Sequence, residues 1–303
     1  MSDNSMQQHI TASRIANSVL QDKSNKGFFL FVEGVKDLNV YPQFINQSYV
    51  KIEPTYGKYK MREVWEILES RNFHNKIAIR DADFIRIRGN YNKDYHSHFF
   101  ITDAHDSECM IVNSPTFEKV IDSALSIEHS SNIKSKFPDL KFDIKQICYQ
   151  LGCLKLANKL DNLGLTFKPK NVKDKGLDFS KFIECKTFKY NSDTALIQSV
   201  INYSINKVEK GSIKNESEIR CSFDKIVNKK HPLDEVIHGH DLSQVMYLLV
   251  RKHFKYNNNL ITSGDNVESL WAMSYDSSYF KDTSLYKNIY SLTNSLDIPL
   301  FSI

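Results

Sequence analysis

The chain is poor in the residues that interrupt or staple a fold. Its 303 residues hold only 10 glycines and 7 prolines, which excludes a collagen-like or low-complexity chain. Five cysteines, Cys109, Cys148, Cys153, Cys185 and Cys221, are an odd number at irregular spacing. Cys148 and Cys153 lack the second Cys/His pair of a zinc finger. Free thiols in a reducing compartment are therefore expected. No apolar run approaches the ~20 residues that span a bilayer. The first residues also lack the basic-then-apolar order of a signal peptide. A cytoplasmic protein without a membrane partner is the expectation. No Gly-x4-Gly-Lys-[Ser/Thr] phosphate loop occurs, which argues against ATP hydrolysis by that device. The absence of Gly-x-Ser-x-Gly and His-Glu-x-x-His argues against an α/β-hydrolase and a zincin.

The composition is that of a globular chain, with 41% hydrophobic and 25% charged residues. A formal net charge of +4 is too small to imply nucleic-acid binding by itself. The charge is unevenly divided: residues 1–129 hold 15 basic and 17 acidic side chains, and residues 130–303 hold 25 and 19. An acidic half beside a basic half suits a carboxylate–metal site next to a polyanion-binding surface, and equally suits an ordinary uneven surface.

Apolar pattern divides the chain into an alternating part and a helical part. Residues 10–21 predict an amphipathic helix, and Phe28–Val32 a buried strand too short to be a buried helix. A crossover helix over 36–46 and a strand near 49–52 come next. Met61, Val64, Trp65 and Leu68 recur at i, i+3, i+4, i+7 and predict a helix over 60–71. Lys76–Arg80 and His98–Thr102 read as further strands, with a polar hairpin-like insertion over 84–97 between them. A helix runs from Ser114-Pro115 to about Leu125. Such alternation predicts an α/β domain with a mainly parallel sheet. Beyond a linker at 127–140, helical spacing dominates at 141–163, 193–209, 240–255, 265–274 and 283–296. The expected organisation is an N-terminal helix (1–27), an α/β domain (28–130) and a mostly helical domain (131–303).

In parallel α/β sheets, ligands gather beyond the carboxyl ends of the strands, and here those ends carry acids. The first strand ends at Glu33-Gly34 with Asp37 one turn later. The third ends at Asp81-Ala82-Asp83, and the fourth leads to Asp103, Asp106 and Glu108. Each acid alone reads as a solvated strand end or helix cap. Together they can hold a hard cation such as Mg²⁺, which takes oxygen ligands and offsets their mutual repulsion. Lys58, Lys60, Arg80, Arg86 and Arg88, all read as loop residues, are candidates to neutralise backbone phosphates. Weaker groupings are His96-Ser-His98 as metal ligands, Asp241 as a helix cap or a site residue, and Tyr275, Tyr279, Phe280, Tyr286 and Tyr290 as core aromatics or a base-stacking set.

Four segments carry a resemblance: Phe-Val-Glu33-Gly34-Val-Lys-Asp37, Arg80-Asp81-Ala-Asp83-Phe84, Thr102-Asp-Ala-His105-Asp106-Ser-Glu108 and Gly239-His240-Asp241-Leu242. In this order they are similar to the TOPRIM fold of topoisomerases, primases and OLD-type nucleases. Most of all they resemble the stand-alone TOPRIM nucleases of bacterial anti-phage defence, the AriB-type effectors of PARIS systems. The resemblance implies a TOPRIM-like Rossmannoid domain and a metal-dependent endoribonuclease. It implies Glu33 as general acid/base or metal ligand, Asp81 and Asp83 as a metal-binding pair, and Asp37 and Glu108 as further metal positions. One or two Mg²⁺ ions, with Mn²⁺ as substitute, are the implied cofactor. The implied partners are an ABC-type ATPase sensor subunit (AriA-like), a second copy in an active homodimer, and host transfer RNA. Cleavage of that RNA would act as a toxin in abortive infection. An OLD-type DNA endonuclease and a catalytically silent TOPRIM-like regulatory module are the alternatives.

Overall fold

The computed structural model describes residues 10–90, 97–169, 175–257 and 259–303. His96 and most of the far half of the expected 84–97 insertion lie outside them. The chain forms two compact units: the described residues up to Ser114 together with Ala272–Ile303, and Pro115–Trp271. The expected boundary near 130 is therefore replaced by two, after Ser114 and after Trp271; the described part of the expected 1–27 segment and the last 32 residues both belong with the sheet.

The first unit is a mixed α/β structure around a four-stranded sheet. Strands β1 (Phe28–Val32), β2 (Val50–Pro54), β3 (Lys76–Arg80) and β4 (Phe99–Ile101) lie in the order β2-β1-β3-β4. All three pairings are parallel. Central β1 is flanked on both sides, which is why Phe28-Phe29-Leu30-Phe31-Val32 reads as a continuous apolar run. Helices α1 (Ala12–Gln21) and α2 (Lys58–Ser70) pack on each other over one face of the sheet. There Ile15, Val19, Met61, Trp65 and Leu68 join Phe29, Phe31, Ala78 and Phe99 in one core. Trp65 meets Phe99 edge-on at 4.4 Å between ring centroids.

Between β1 and β2 the expected crossover helix is absent. Only a 3₁₀ turn, Lys36–Asn39, forms, since Pro42 and the aromatic Tyr41 and Phe44 favour a compact irregular segment. This segment is anchored by the chain's far end. Asn46 donates its N–H to the Leu300 carbonyl (2.9 Å), Ser302 donates to the Phe44 carbonyl (3.0 Å), and Ile45 forms an antiparallel bridge with Phe301. Phe44 stacks on Phe280 at 4.5 Å. Within the aromatic set of residues 275–290, Tyr275 and Phe280 are thus core residues. The start of the expected hairpin insertion is instead a helical turn, α3 (Ile85–Arg88), closed by left-handed Gly89. After β4 comes α4 (Ser107–Asn113).

The second unit holds α5 (Thr116–Ala124), α6 (Ile127–Lys136), α7 (Leu140–Asp161), α8 (Asp193–Ser204), α9 (Glu216–Asn228), α10 (Leu233–Val236) and α11 (Gly239–Leu248). A π turn (Leu249–His253) extends α11, and α12 (Gly264–Ser274) begins here. A two-stranded hairpin, β5 (Ile183–Glu184) and β6 (Lys189–Tyr190), has no counterpart in the sequence pattern. The expected linker is helix α6: only Ser130 and Ile133 of it are buried, too few to give an apolar stripe. Helices α13 (Ser277–Asp282) and α14 (Ser284–Ser295) return to the first unit.

In the second unit, the 22-residue α7 packs against α9, α10 and α11. Gly152 allows its contact with α10, because a Cβ there would lie 2.4 Å from the Val236 carbonyl oxygen. Gly152→Ala should therefore cost about 1–3 kcal/mol of stability, read as a lower denaturation midpoint. An unchanged midpoint would mean that α10 moves freely.

Candidate metal centre

Strand order alone selects one place on the sheet for a ligand. The chain leaves β1 toward β2 on one side and continues from β3 to β4 on the other. The crevice beyond the carboxyl ends of β1 and β3 is therefore the topological switch point, where open α/β sheets bind ligands. Val32 pairs with Ile79 in the parallel register. Glu33 and Arg80 come directly after that pair, on strands spaced about 5 Å apart. Glu33-Gly34 and Asp81-Ala82-Asp83 thus emerge side by side.

Local hydrogen bonds fix each acidic turn. The Gly34 N–H donates to Asp37 Oδ2 at 2.8 Å, folding Asp37 back over the end of β1. On the neighbouring turn the Ala82 N–H donates to Thr102 Oγ1 (3.0 Å), and that hydroxyl donates to the Ala104 carbonyl (2.8 Å). Asp83 occupies the left-handed region at φ 47°, which aspartate tolerates better than most side chains. Its N–H is held by the His105 carbonyl at 2.7 Å. Asp106 caps α4 by accepting from the Cys109 N–H at 2.8 Å. That cap puts Ser107 in the first helical turn, where its N–H donates to Asp81 Oδ1 at 3.2 Å. The Ser107 hydroxyl lies 3.3 Å from Asp37 Oδ1 and 3.0 Å from the buried Tyr41 hydroxyl.

The acids are close enough to shift one another. Burial, and next the Asp83 carboxylate, raise Glu33 to about 7, against the pull of Lys58 and Arg80. Burial raises Asp37 to about 6, opposed by the Gly34 N–H and the Ser107 hydroxyl. Asp81 is pushed well above the carboxylate range, by burial first and then by Asp37, Glu33, Asp106 and Glu108. Burial beside Asp37 likewise raises the Tyr41 phenol. Glu33, Asp37, Asp81, Asp83 and Glu108 therefore form one electrostatic group at the switch point. Among the described residues, Glu33 Oε2 is buried without a hydrogen-bond partner. An unpartnered carboxylate oxygen among other carboxylates fits a hard divalent cation, which takes oxygen ligands.

The basic candidates divide. Lys58 forms an ion pair with Asp83, and Arg80 acts on Glu33. Neither is a loop residue: Lys58 opens α2, and Arg80 is the buried last residue of β3. Its burial removes Arg80 from the set of surface phosphate contacts. Lys60 lies over the Tyr56 ring at 5.6 Å. Arg86 donates to the Thr102 carbonyl, which makes it a brace for the Asp-x-Asp turn. Arg88 is exposed at the end of α3. Asp103 is engaged elsewhere. Its carboxylate accepts the N–H groups of Ser284 (2.6 Å) and Leu285 (2.7 Å) and caps α14. In the second unit, Asp241 lies in the first turn of α11 and is not its cap, which is His238. Both Asp241 carboxylate oxygens pair with Lys155 Nζ, at 2.8 and 2.6 Å, while His240 Nδ1 lies 2.8 Å from Glu268.

Sequence reasoning misses Ser107 and Tyr41. Ser107 is detectable as the first helical residue after the Asp106 cap. Tyr41 has no local signal, because its role depends on contact with Ser107. No protein-family model matches the chain, and no curated protein matches it. Among the described residues, no helix is long and apolar enough to cross a membrane.

The raised acids set a pH dependence. Unfolded, Glu33 and Asp37 release their protons near 4.5 and 3.8; folded, they hold them to about 7 and 6. The native state binds more protons across that window, so stability of the metal-free protein should fall as pH rises through it. Mn²⁺ should reverse the trend, stabilising most above the upper limit. Thermal melts over this range, with and without Mn²⁺, check both statements. Flat, Mn²⁺-insensitive melts would contradict the site.

Proposed function

We propose that the chain is a metal-dependent phosphodiesterase of the TOPRIM type, acting as an endoribonuclease effector in anti-phage defence. The observation that carries this reading is the convergence of acids from three chain-distant segments at the switch point, with a buried glutamate oxygen left unpartnered. Glu33, Asp37, Asp81, Asp83 and Glu108 would hold one or two Mg²⁺ ions. Bound there, a divalent ion lowers the pKa of a water and polarises a phosphoryl oxygen.

The chain's own residues account for the rest. Glu33, raised to about 7 by burial and Asp83, is poised to hold or release a proton near neutrality, as a general acid/base requires. Asp81 and Asp83 are oriented by backbone and hydroxyl contacts from Ser107 and His105, which limits the reorganisation needed when a ligand arrives. Lys58 and the exposed Arg88 stand on the same unit as cations for a phosphate backbone. Transfer RNA as substrate, an ABC-type ATPase that restrains the nuclease, and an active homodimer come with the resemblance and belong to this proposal.

Incubation of purified protein and Mg²⁺ with total tRNA and, separately, with plasmid DNA tests the reading. Cleavage of tRNA alone is expected. Plasmid cleavage instead would select the DNA endonuclease, and no cleavage of either, with no metal binding, the silent module. Glu33→Gln and Asp81→Asn should each lower cleavage by at least about 100-fold while retaining the wild-type circular dichroism spectrum. Full activity in both variants would refute the assignment.

A further inference from the structure

The acidic group contains a direct ion pair, Lys58 with Asp83, whose cation is in an unfavourable place for a helix; the His105 ring nitrogen Nε2 lies further off, 3.9 Å from the other Asp83 oxygen. Lys58 and Lys60 occupy the first turn of α2, which holds no acid, and the cap Gly57 supplies no side-chain hydrogen bond. The positive end of a helix dipole disfavours cations there. Two longer helices follow the rule, α7 with the Asp139 cap and Asp143 and α9 with an Asn215–Glu218 capping box and Glu216, whereas α1 carries Arg14 in its first turn. The helix dipole does not favour Lys58 at this position, and its direct partner is Asp83.

Both partners of the pair are set by backbone. The Gly57 N–H donates to the Glu33 carbonyl at 2.8 Å, and both the N–H and the hydroxyl of Thr55 reach the Val32 carbonyl, at 2.9 and 3.0 Å. The start of α2 is thereby tied to the end of β1. Asp83 is held at its left-handed turn by the His105 carbonyl. The two side chains are 30% and 28% exposed, within reach of an entering ion. A Lys–Asp pair so anchored differs from two mobile surface chains that meet by chance.

We propose that Lys58 is the resident counter-cation of this site: its ammonium holds Asp83 in the metal-free protein, competes with a divalent ion for that carboxylate, and is released when the ion binds. The inference rests on the reading of Glu33, Asp81 and Asp83 as a metal site. It adds a residue that opposes metal binding, where a phosphate-contacting lysine would leave metal affinity unaltered. Once displaced, the ammonium remains on the first turn of α2, beside the same carboxylates and free to meet a substrate phosphate.

The test is calorimetric titration of the metal-stripped full chain with Mn²⁺, without nucleic acid, at mildly alkaline pH. Lys58→Met should bind Mn²⁺ about three- to tenfold more tightly than wild type, since a competing and repelling charge is gone. Lys58→Arg, which keeps the charge, should bind no more tightly than wild type. Equal or weaker binding by a natively folded Lys58→Met would overturn the proposal and make Lys58 a strut for Asp83. Should Lys58→Met be unfolded by circular dichroism, Lys58→Gln serves the same comparison. Wild-type binding that Glu33→Gln abolishes but Lys58→Met leaves unchanged would sink the Lys58 role alone. Absence of Mn²⁺ binding in both wild type and Lys58→Met would sink the metal reading and this proposal with it.

Discussion

Repulsion among carboxylates at the end of a parallel sheet is the interaction on which the first unit turns. Parallel strands deliver their last residues to one edge, so an acid after β1 and two after β3 must meet wherever those strands are neighbours. The register Val32–Ile79 makes them neighbours. Burial removes the water that would screen them, and the upward shifts of Glu33, Asp37 and Asp81 record the consequence. A fold under selection for stability alone would dilute such a group. This chain instead holds it in place: Gly34, Ser107 and Thr102 each take part in a hydrogen bond that fixes an acid or its turn. The arrangement is stable in one of two ways, with protons on some of the carboxyls or with a cation between them.

Much of this is legible in the sequence, and the reasons are local. Phe28–Val32 and Lys76–Arg80 are recognisable as buried strands because both are flanked by paired neighbours and need no polar face. Their acidic ends come at once in the chain, so the membership of Glu33, Asp81 and Asp83 is readable from residue order alone. Helix α2 is equally plain from Met61, Val64, Trp65 and Leu68, all buried. The features that escape a sequence reading depend on contacts between distant residues. Asp103 looks like another acid of the series, yet its partners, the N–H groups of Ser284 and Leu285, lie 181 and 182 residues away. Arg80 looks like a strand-end cation for phosphate but is buried. Helix α6 reads as a linker because a helix that buries two residues carries no periodic signal.

The domain boundary is hidden for the same reason. Reading along the chain presumes that the residues after 130 stay together, and nothing in the composition of 272–303 marks it as different from the helices before it. The decisive contacts are Ile45 with Phe301, Asn46 with Leu300 and Phe44 with Phe280. Each joins an aromatic or backbone group near residue 45 to the far end of the chain. No periodicity encodes such a pairing.

Those contacts also explain how an irregular segment can serve the acidic group. Asp37 comes after β1 on a 3₁₀ turn, which by itself is a poor platform. The residues just after it are clamped instead: Tyr41 meets Phe280 edge-on at 6.2 Å, and Phe44 is stacked on the same ring. Tyr41 in turn reaches Ser107, whose N–H holds Asp81. From the other side, Asp103 ties the start of α14 to the loop after β4. The returning segment thus braces the Asp37 arm and the β4 loop, two of the three arms that carry the acids, without contributing a carboxylate of its own. A crossover helix would have placed Asp37 by its own hydrogen bonds. Here tertiary packing does so, and the final 32 residues are therefore part of the machinery that keeps like charges together.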